Sequence, residues 1–186
     1  MKHLNWCKTA REKQITPKGD WNVWLILAGR GWGKTRTGAQ DIAFYGLTRP
    51  NSRIAIVTPT FGDGRDTCIE GVSGLLGCID RDNIENWNRS IGELILKNGT
   101  VYRTFSAEQP DRLRGPQFHR AWCDELGSWK NADAWDQLLF GLRLGENPQI
   151  VVTTTPKPTD IIKELVSSKD SLVTRGSTFE NKDNLA

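Results

Sequence analysis

The sequence predicts an α/β fold, a mostly parallel sheet covered by helices on both faces with an inserted β-hairpin. Three observations carry this expectation. Short apolar runs, too brief for helices and stopped by glycine, proline or acids, recur along the chain. Segments with apolar residues at helical spacing alternate with them. One Asn-Gly pair lies between two strand-like runs, which is the turn chemistry of a hairpin. At 186 residues the chain fits one domain with a continuous core.

Taken in order, "WNVWLILAG" is the first strand, beginning at Trp21 and stopped by Gly29. Behind a glycine-rich loop, Ala39, Ile42, Ala43 and Gly46 recur at helical spacing and predict a helix to about Leu47, ended by "TRPNS". "RIAIVTPT" is the second strand, and Ile69, Val72, Leu75 and Leu76 mark a helix behind it. "ELILKNGTVYRTF" is the hairpin, turning at Asn98-Gly99. "FHRAWCDE" is a short strand ending in two acids. Trp135, Leu138, Leu139 and Leu142 share one face of a helix that starts near Asn131. "PQIVVTTTP" is a further strand, "TDIIKELVSS" a short helix and "SLVTRGST" one more strand. The tail "STFENKDNLA" has few apolar residues and no period, and reads as a frayed end or the beginning of a linker.

Composition narrows the function classes. No run of eighteen or more apolar residues occurs and the N-terminal residues lack the apolar centre of an export signal, so the expectation is an intracellular chain with no membrane partner. The cysteines Cys7, Cys68, Cys78 and Cys123 are scattered, and the only histidines are His3 and His119, so reduced thiols and no zinc are expected. Residues 1–36 carry eight Lys and Arg against Glu12 and Asp20, a net +6 within a total of +3, which leaves −3 for the remainder. A basic segment can favour phosphates or nucleic acid, but it also describes an ordinary solvated face.

The loop after the first strand carries chemistry. Ala28-Gly29-Arg30-Gly31-Trp32-Gly33-Lys34-Thr35 follows the phosphate-loop template G-x-x-x-x-G-K-[ST], with alanine at the first glycine. Glycines let successive backbone N–H groups face phosphate oxygens, and the helix starting near Gly33 adds its positive end. Lys34 then reaches the terminal phosphates and Thr35 offers a hydroxyl to magnesium. Ala28 is tolerated if its φ is negative. The dinucleotide fingerprint G-x-G-x-x-G fails from Gly29, where its last position is Lys34, and from Gly31, where it is Arg36. A nucleoside triphosphate is therefore expected. About ninety residues on, Asp124 and Glu125 end a strand, where ligands collect in open α/β sheets. Asp124 is the natural magnesium carboxylate and Glu125 the base for water. Thr153, Thr154 and Thr155 end the next strand, and such a polar tip can touch the terminal phosphate and report its loss.

"LAGRGWGKTRTGA", "RLRGPQFHRAWCDELGSW" and "VVTTTPKP", in this order, resemble the ATPase domain of the large terminase subunit of tailed bacteriophages and gene-transfer agents, a P-loop NTPase of the RecA-like (ASCE) class. The resemblance covers the chain from Trp21 to its tail. It implies a motor that uses ATP and Mg2+ to pump double-stranded DNA through a portal into a capsid in the host cell cytoplasm, a homo-oligomeric ring when assembled, with a monomer the alternative for the isolated domain, and with the portal protein and the small terminase subunit as partners. Lys34 and Thr35 would belong to Walker A, Asp124 and Glu125 to Walker B, and Thr153 to Thr155 to the coupling motif. Arg30 matches a basic residue inside the loop that contacts phosphate or links hydrolysis to motion. Arg114 matches an arginine finger supplied to the neighbouring subunit, with Arg112 its competitor. Gln14 resembles a glutamine that reads the adenine edge, and Trp32 either stacks or shields the loop. On this resemblance residues 1–180 form the ATPase domain and 177–186 open a linker to an absent nuclease domain, so no DNA cleavage is expected from this chain. A helicase-like translocase shares both motifs but usually needs a second such domain. A non-hydrolysing nucleotide-binding scaffold at the portal is a further rival, against which Glu125 argues.

Overall fold

The computed structural model describes residues 2–184. Its strands are β1 Val23–Ala28, β2 Arg53–Thr58, β3 Ile84–Asn88, β4 Glu93–Leu96, β5 Val101–Ser106, β6 Arg120–Asp124, β7 Gln149–Thr154 and β8 Ser171–Gly176. They form one sheet in the order β3-β4-β5-β2-β6-β7-β1-β8. From β5 to β8 every neighbouring pair is parallel, while β4 runs antiparallel to β5 and β3 to β4. The mostly parallel sheet and its hairpin are thus as the sequence predicts. β7, with its threonine tip, lies between the loop strand β1 and the acidic strand β6.

Period-two alternation divides each central strand between two cores. Trp24, Ile26, Ile54, Ile56, Trp122 and Val151 meet Ala39, Ile42 and Ala43 of helix α2, Lys34–Thr48, on one face. Leu25, Val57, Cys123 and Val152 meet Trp135 and Leu138 of α5, Asp133–Gly141, and Ile162 and Leu165 of α6, Asp160–Ser167, on the other. Helices therefore cover both faces. α2 lies close against the sheet at Gly38, where a Cβ would overlap the Trp122 indole. Gly38→Ala is expected to destabilise the fold by about 1–3 kcal/mol through overpacking, despite the better helix propensity of alanine. Chemical denaturation checks this, and a stabilised variant would show that α2 can lift at no cost.

Two local expectations are corrected. The helix marked by Ile69, Val72, Leu75 and Leu76 is instead a broken segment: the single turn α3, Phe61–Asp63, a π-helical turn over Gly64–Ile69, and the short α4, Leu75–Cys78. Gly71 and Gly74 lie between these pieces, Gly74 is extended, and Val72 is 94% exposed. Ile69 and Leu75 are both buried, so apolar spacing finds the core contacts but not the backbone that delivers them. In α5, Leu139 turns outward while Trp135 and Leu138 face the core. Nor does any sequence pattern mark helix α1, Lys2–Thr9, whose Lys2 Nζ donates to the carbonyls of Leu76 and Ile79, or β3, a mostly polar edge strand.

Candidate functional site

The C-terminal ends of β1, β6 and β7 converge on one cleft of about 400 Å³, lined by Arg30, Thr35, Pro59, Asp63, Thr67, Asp124, Glu125, Ser128, Thr155 and Lys157. A larger cavity of about 600 Å³, bordered by Phe61, Ile91, Phe105 and Arg112, holds none of the predicted nucleotide residues. Arg30, Thr35, Asp124, Glu125 and Thr155 line the smaller, polar one.

The loop geometry explains its residues. Ala28 ends β1 in ordinary strand conformation, and the left-handed positions are Gly31 (φ 74°) and Gly33 (φ 97°). Alanine at the first template position is therefore free of strain. Gly33 caps α2, whose first turn contains no acid, so the positive helix end is left for an anion. Lys34 is nearly buried; its Nζ donates to the Gly29 carbonyl at 3.2 Å and stands 3.7 Å from Glu125 Oε1. Thr35 presents its side of the helix to the cleft.

Asp124 is buried at the end of β6. Its Oδ1 accepts from the Thr153 hydroxyl at 2.5 Å and its Oδ2 from the Cys68 thiol at 3.7 Å. Burial, opposed by the Thr153 hydroxyl, pushes the carboxyl up to about 6. A buried carboxylate with only a hydroxyl and a thiol as hydrogen-bond donors suits an incoming cation, and the Thr35 hydroxyl lines the same cleft. Among the described residues no cluster of three or more His, Cys, Asp or Glu could hold a metal alone. A hard cation held by one carboxylate, one hydroxyl and substrate phosphates fits this donor set.

The raised Asp124 titration carries a stability consequence. Between its ordinary 3.8 and about 6 the folded chain keeps a proton that the unfolded chain releases, so this group's contribution to stability falls as pH rises through that window. Asp124→Asn removes the ionised group and is expected to stabilise the chain at pH 7.5 by about 1–3 kcal/mol. The gain should shrink toward zero below about pH 4. Urea denaturation at the two pH values reads this, and an equal effect at both would refute the burial cost.

Glu125 adopts φ 48° and ψ 45°, a left-handed conformation that costs a residue with a side chain about 1–2 kcal/mol. Its N–H donates to the Thr153 carbonyl at 2.6 Å, and its Oε2 accepts from the Thr155 N–H at 3.2 Å and hydroxyl at 3.0 Å. This backbone turn directs the second acid into the cleft, where the straight strand would send it to the face opposite Asp124.

Other predicted residues are placed differently. Thr153 and Thr154 are fully buried: Thr153 accepts from the Trp122 indole at 2.7 Å besides holding Asp124, and Thr154 accepts from the Gly127 N–H at 3.1 Å. Strand alternation sends them to opposite faces, so of the expected sensing tip only Thr155 reaches the cleft. Trp32 is buried, donates to Glu180 Oε2 at 3.1 Å, lies under the Arg11 guanidinium and packs on Gly176, so it shields the loop and does not enter the cleft. Gln14 sits beneath the first turn of α2 with both ends of its amide engaged, by Thr37 at 3.1 Å and the Arg11 N–H at 3.2 Å; no adenine contact follows from this placement. Arg30 is exposed and lines the cleft. Arg114 is exposed, pairs with Asp111 at 3.2 Å and lies outside its own chain's cleft, whereas Arg112 borders the larger cavity.

Sequence reasoning misses several neighbours. Lys157, two residues beyond the threonine tip, donates to Ser128 at 2.6 Å on the cleft rim. Cys68, Thr67 and Asp63 come from the irregular 61–69 segment, which no period reveals. The tail expected to fray or open a linker is seated on the loop as far as Asn181: the Gly29 N–H donates to the Gly176 carbonyl, Thr178 occupies the space a Cβ at Gly29 would need, and Asn181 donates to the Gly31 carbonyl at 2.7 Å. Leu185 and Ala186 of the predicted linker lie outside the described residues.

Comparisons with known proteins agree with this fold. The family model described as terminase large subunit, T4likevirus-type, N-terminal, matches residues 25–169. A search of curated proteins finds no match. Among solved structures, the large terminase ATPase domain of Thermus phage P74-26 is 17% identical with a TM-score of 0.66, covering 90% of this chain and 80% of that one. A large terminase from a thermophilic bacteriophage, solved in complex with ADP, is 15% identical with a TM-score of 0.73, covering 98% and 45%. The bacteriophage HK97 large terminase is 18% identical with a TM-score of 0.65, covering 87% and 36%. At these identities the likeness shows a shared fold, the P-loop architecture of terminase ATPase domains, and this chain spans less than half of the latter two proteins. With the family model matched over most of its length, the chain belongs to the terminase large subunit family, in the region of the N-terminal domain.

Proposed function

We propose that this chain is an ATP-hydrolysing, Mg2+-dependent motor domain that moves double-stranded DNA into a viral capsid. The observation that carries the reading is the convergence of Lys34, Thr35, Asp124 and Glu125 on one cleft at the C-terminal edge of a parallel sheet. The similar terminase of the thermophilic bacteriophage has been solved with ADP and with ATP-gamma-S, which supports the same ligand here. Asp124 and Thr35 would hold Mg2+, which supplies charge neutralisation on the phosphates. Backbone N–H groups of the loop and Lys34 bind and orient the phosphate chain. Glu125 accepts the proton of the water whose oxygen bonds to the terminal phosphorus as the bond to the ADP oxygen breaks.

Arg114, exposed and outside its own cleft, is proposed to serve the cleft of a neighbouring copy in a ring, with Arg30 acting on the phosphates of its own chain. The portal protein and the small terminase subunit are the proposed partners, the host cell cytoplasm the site of action, and residues 177–186 the passage to a nuclease domain. The experiment that tests this is phosphate release from ATP with Mg2+ and with a chelator, with and without double-stranded DNA. Turnover lost on chelation supports the motor, and tight ATP binding with no turnover at any protein concentration would favour a nucleotide-binding scaffold.

A further inference from the structure

The hydroxyl of Thr155 carries a single proton, and in this structure that proton is committed. Thr155 Oγ1 donates to Glu125 Oε2 at 3.0 Å, and the Thr155 backbone N–H donates to the same oxygen at 3.2 Å. A hydroxyl has one donor, and a phosphate oxygen without a proton can only accept from it. While it holds Glu125, Thr155 is therefore not available to grip a terminal phosphate. The other carboxylate oxygen, Oε1, faces Lys34 Nζ at 3.7 Å. Lys34 is nearly buried, and its Nζ also donates to the Gly29 carbonyl.

We propose that Thr155 is a positioning residue for Glu125, anchoring Oε2 so that Oε1 alone is presented to the cleft. This rests on the proposed hydrolysis. Glu125 needs such an anchor because it stands just past the end of β6 in a left-handed turn, with three side-chain torsions free to rotate. Thr155 is supplied from just past the end of β7, the strand paired with β6, where Asp124 lies opposite Thr153. The two strand tips thus divide the work: Thr153 holds Asp124 and Thr155 holds Glu125. Lys34 is within reach of both the acid and the loop, so a bound triphosphate draws it toward the phosphates and leaves Oε1 as the free acceptor for the proton of water.

Thr155→Val keeps the shape and removes only the hydroxyl. It is expected to lower kcat about 10- to 100-fold, part of what a general base supplies, with KM for ATP and the Kd of a fluorescent ATP analogue within about twofold. Thr155→Ser should recover kcat to within about threefold, because it restores the donor. A rise in KM with kcat intact would place Thr155 on the substrate and overturn the proposal, as would a valine variant with wild-type kcat. A second readout does not need turnover. In thermal unfolding of the nucleotide-free chain, Thr155→Val should lower Tm by about 2–4 °C in the wild type and by less than about 1 °C when Glu125 is already alanine. Equal shifts in both backgrounds would overturn the contact. Absence of turnover in the wild type with this coupling present would instead remove the hydrolytic reading and leave the Thr155–Glu125 contact standing.

Discussion

Glu125→Gln is expected to lower phosphate release by about 10²–10⁴-fold while ATP binding stays within about threefold. The substitution keeps the size of the side chain and an acceptor for Thr155, but it removes the negative charge proposed to take the proton of water. Lys34, Thr35 and the loop proposed to bind phosphate are untouched, so KM or Kd should move little. The loss of charge near Lys34, 3.7 Å away, pushes any small change toward tighter ATP binding, because Lys34 loses a competitor to the phosphates. Single-turnover kinetics with a coupled phosphate assay, beside titration with a fluorescent ATP analogue, separates the two effects. A variant that lost binding and kept the rate per bound nucleotide would show that Glu125 organises the loop and does no chemistry.

Asp41→Ala is expected to destabilise the fold by about 3–5 kcal/mol, the cost of leaving a buried charge without its partner. Arg120, at the start of β6, donates to both carboxylate oxygens of Asp41 on α2 at 2.9 and 2.7 Å, with side-chain exposures of 4% and 1%. Its guanidinium also donates to Gln149 at 2.5 Å and lies between the rings of Trp21 and Tyr45. Asp41 further accepts from Thr16 at 2.8 Å. This network ties the N-terminal segment, α2, β6 and β7 together at the N-terminal ends of the central strands, opposite the cleft. In a chain of this size the loss corresponds to a Tm lower by about 10 °C. Replacing both partners by apolar residues, Asp41→Leu with Arg120→Met, should recover most of it, since no buried charge is then left alone. A single variant with unchanged Tm would mean that Arg120 finds water or another acceptor.

Much of the fold is legible in the sequence because its signals are local. Each central strand is apolar enough to be buried on both faces, and Asn98-Gly99 specifies the hairpin by turn chemistry. The segment from Phe61 to Cys78 is not legible, because Gly71 and Gly74 break the backbone while Ile69 and Leu75 still reach the core. Helix α1 escapes notice because it is held by Leu76 and Ile79, distant in sequence, and strand β3, though paired with the adjacent β4, because its residues are mostly polar and carry little pattern.

The cleft shows the same division. Lys34, Thr35, Asp124 and Glu125 announce themselves by residue type, spacing and position at strand ends, since phosphate and metal chemistry permits few substitutes. The tip "TTT" does not disclose which threonine does what. Burial and strand alternation send Thr153 to Asp124 and Thr154 to Gly127, and only Thr155 into the cleft. Gln14 and Trp32 likewise resemble ligand contacts in one dimension and prove to be occupied by Thr37, Arg11 and Glu180 in three. The family, the alternating sheet and the identity of the charged chemical groups follow from the chain read as a string, because period, glycine positions and charge are properties of short stretches. Which polar atoms stay available in the cleft is settled only once the chain is folded, because a hydroxyl or amide has few hydrogen-bonding sites and distant parts of the chain have already taken most of them.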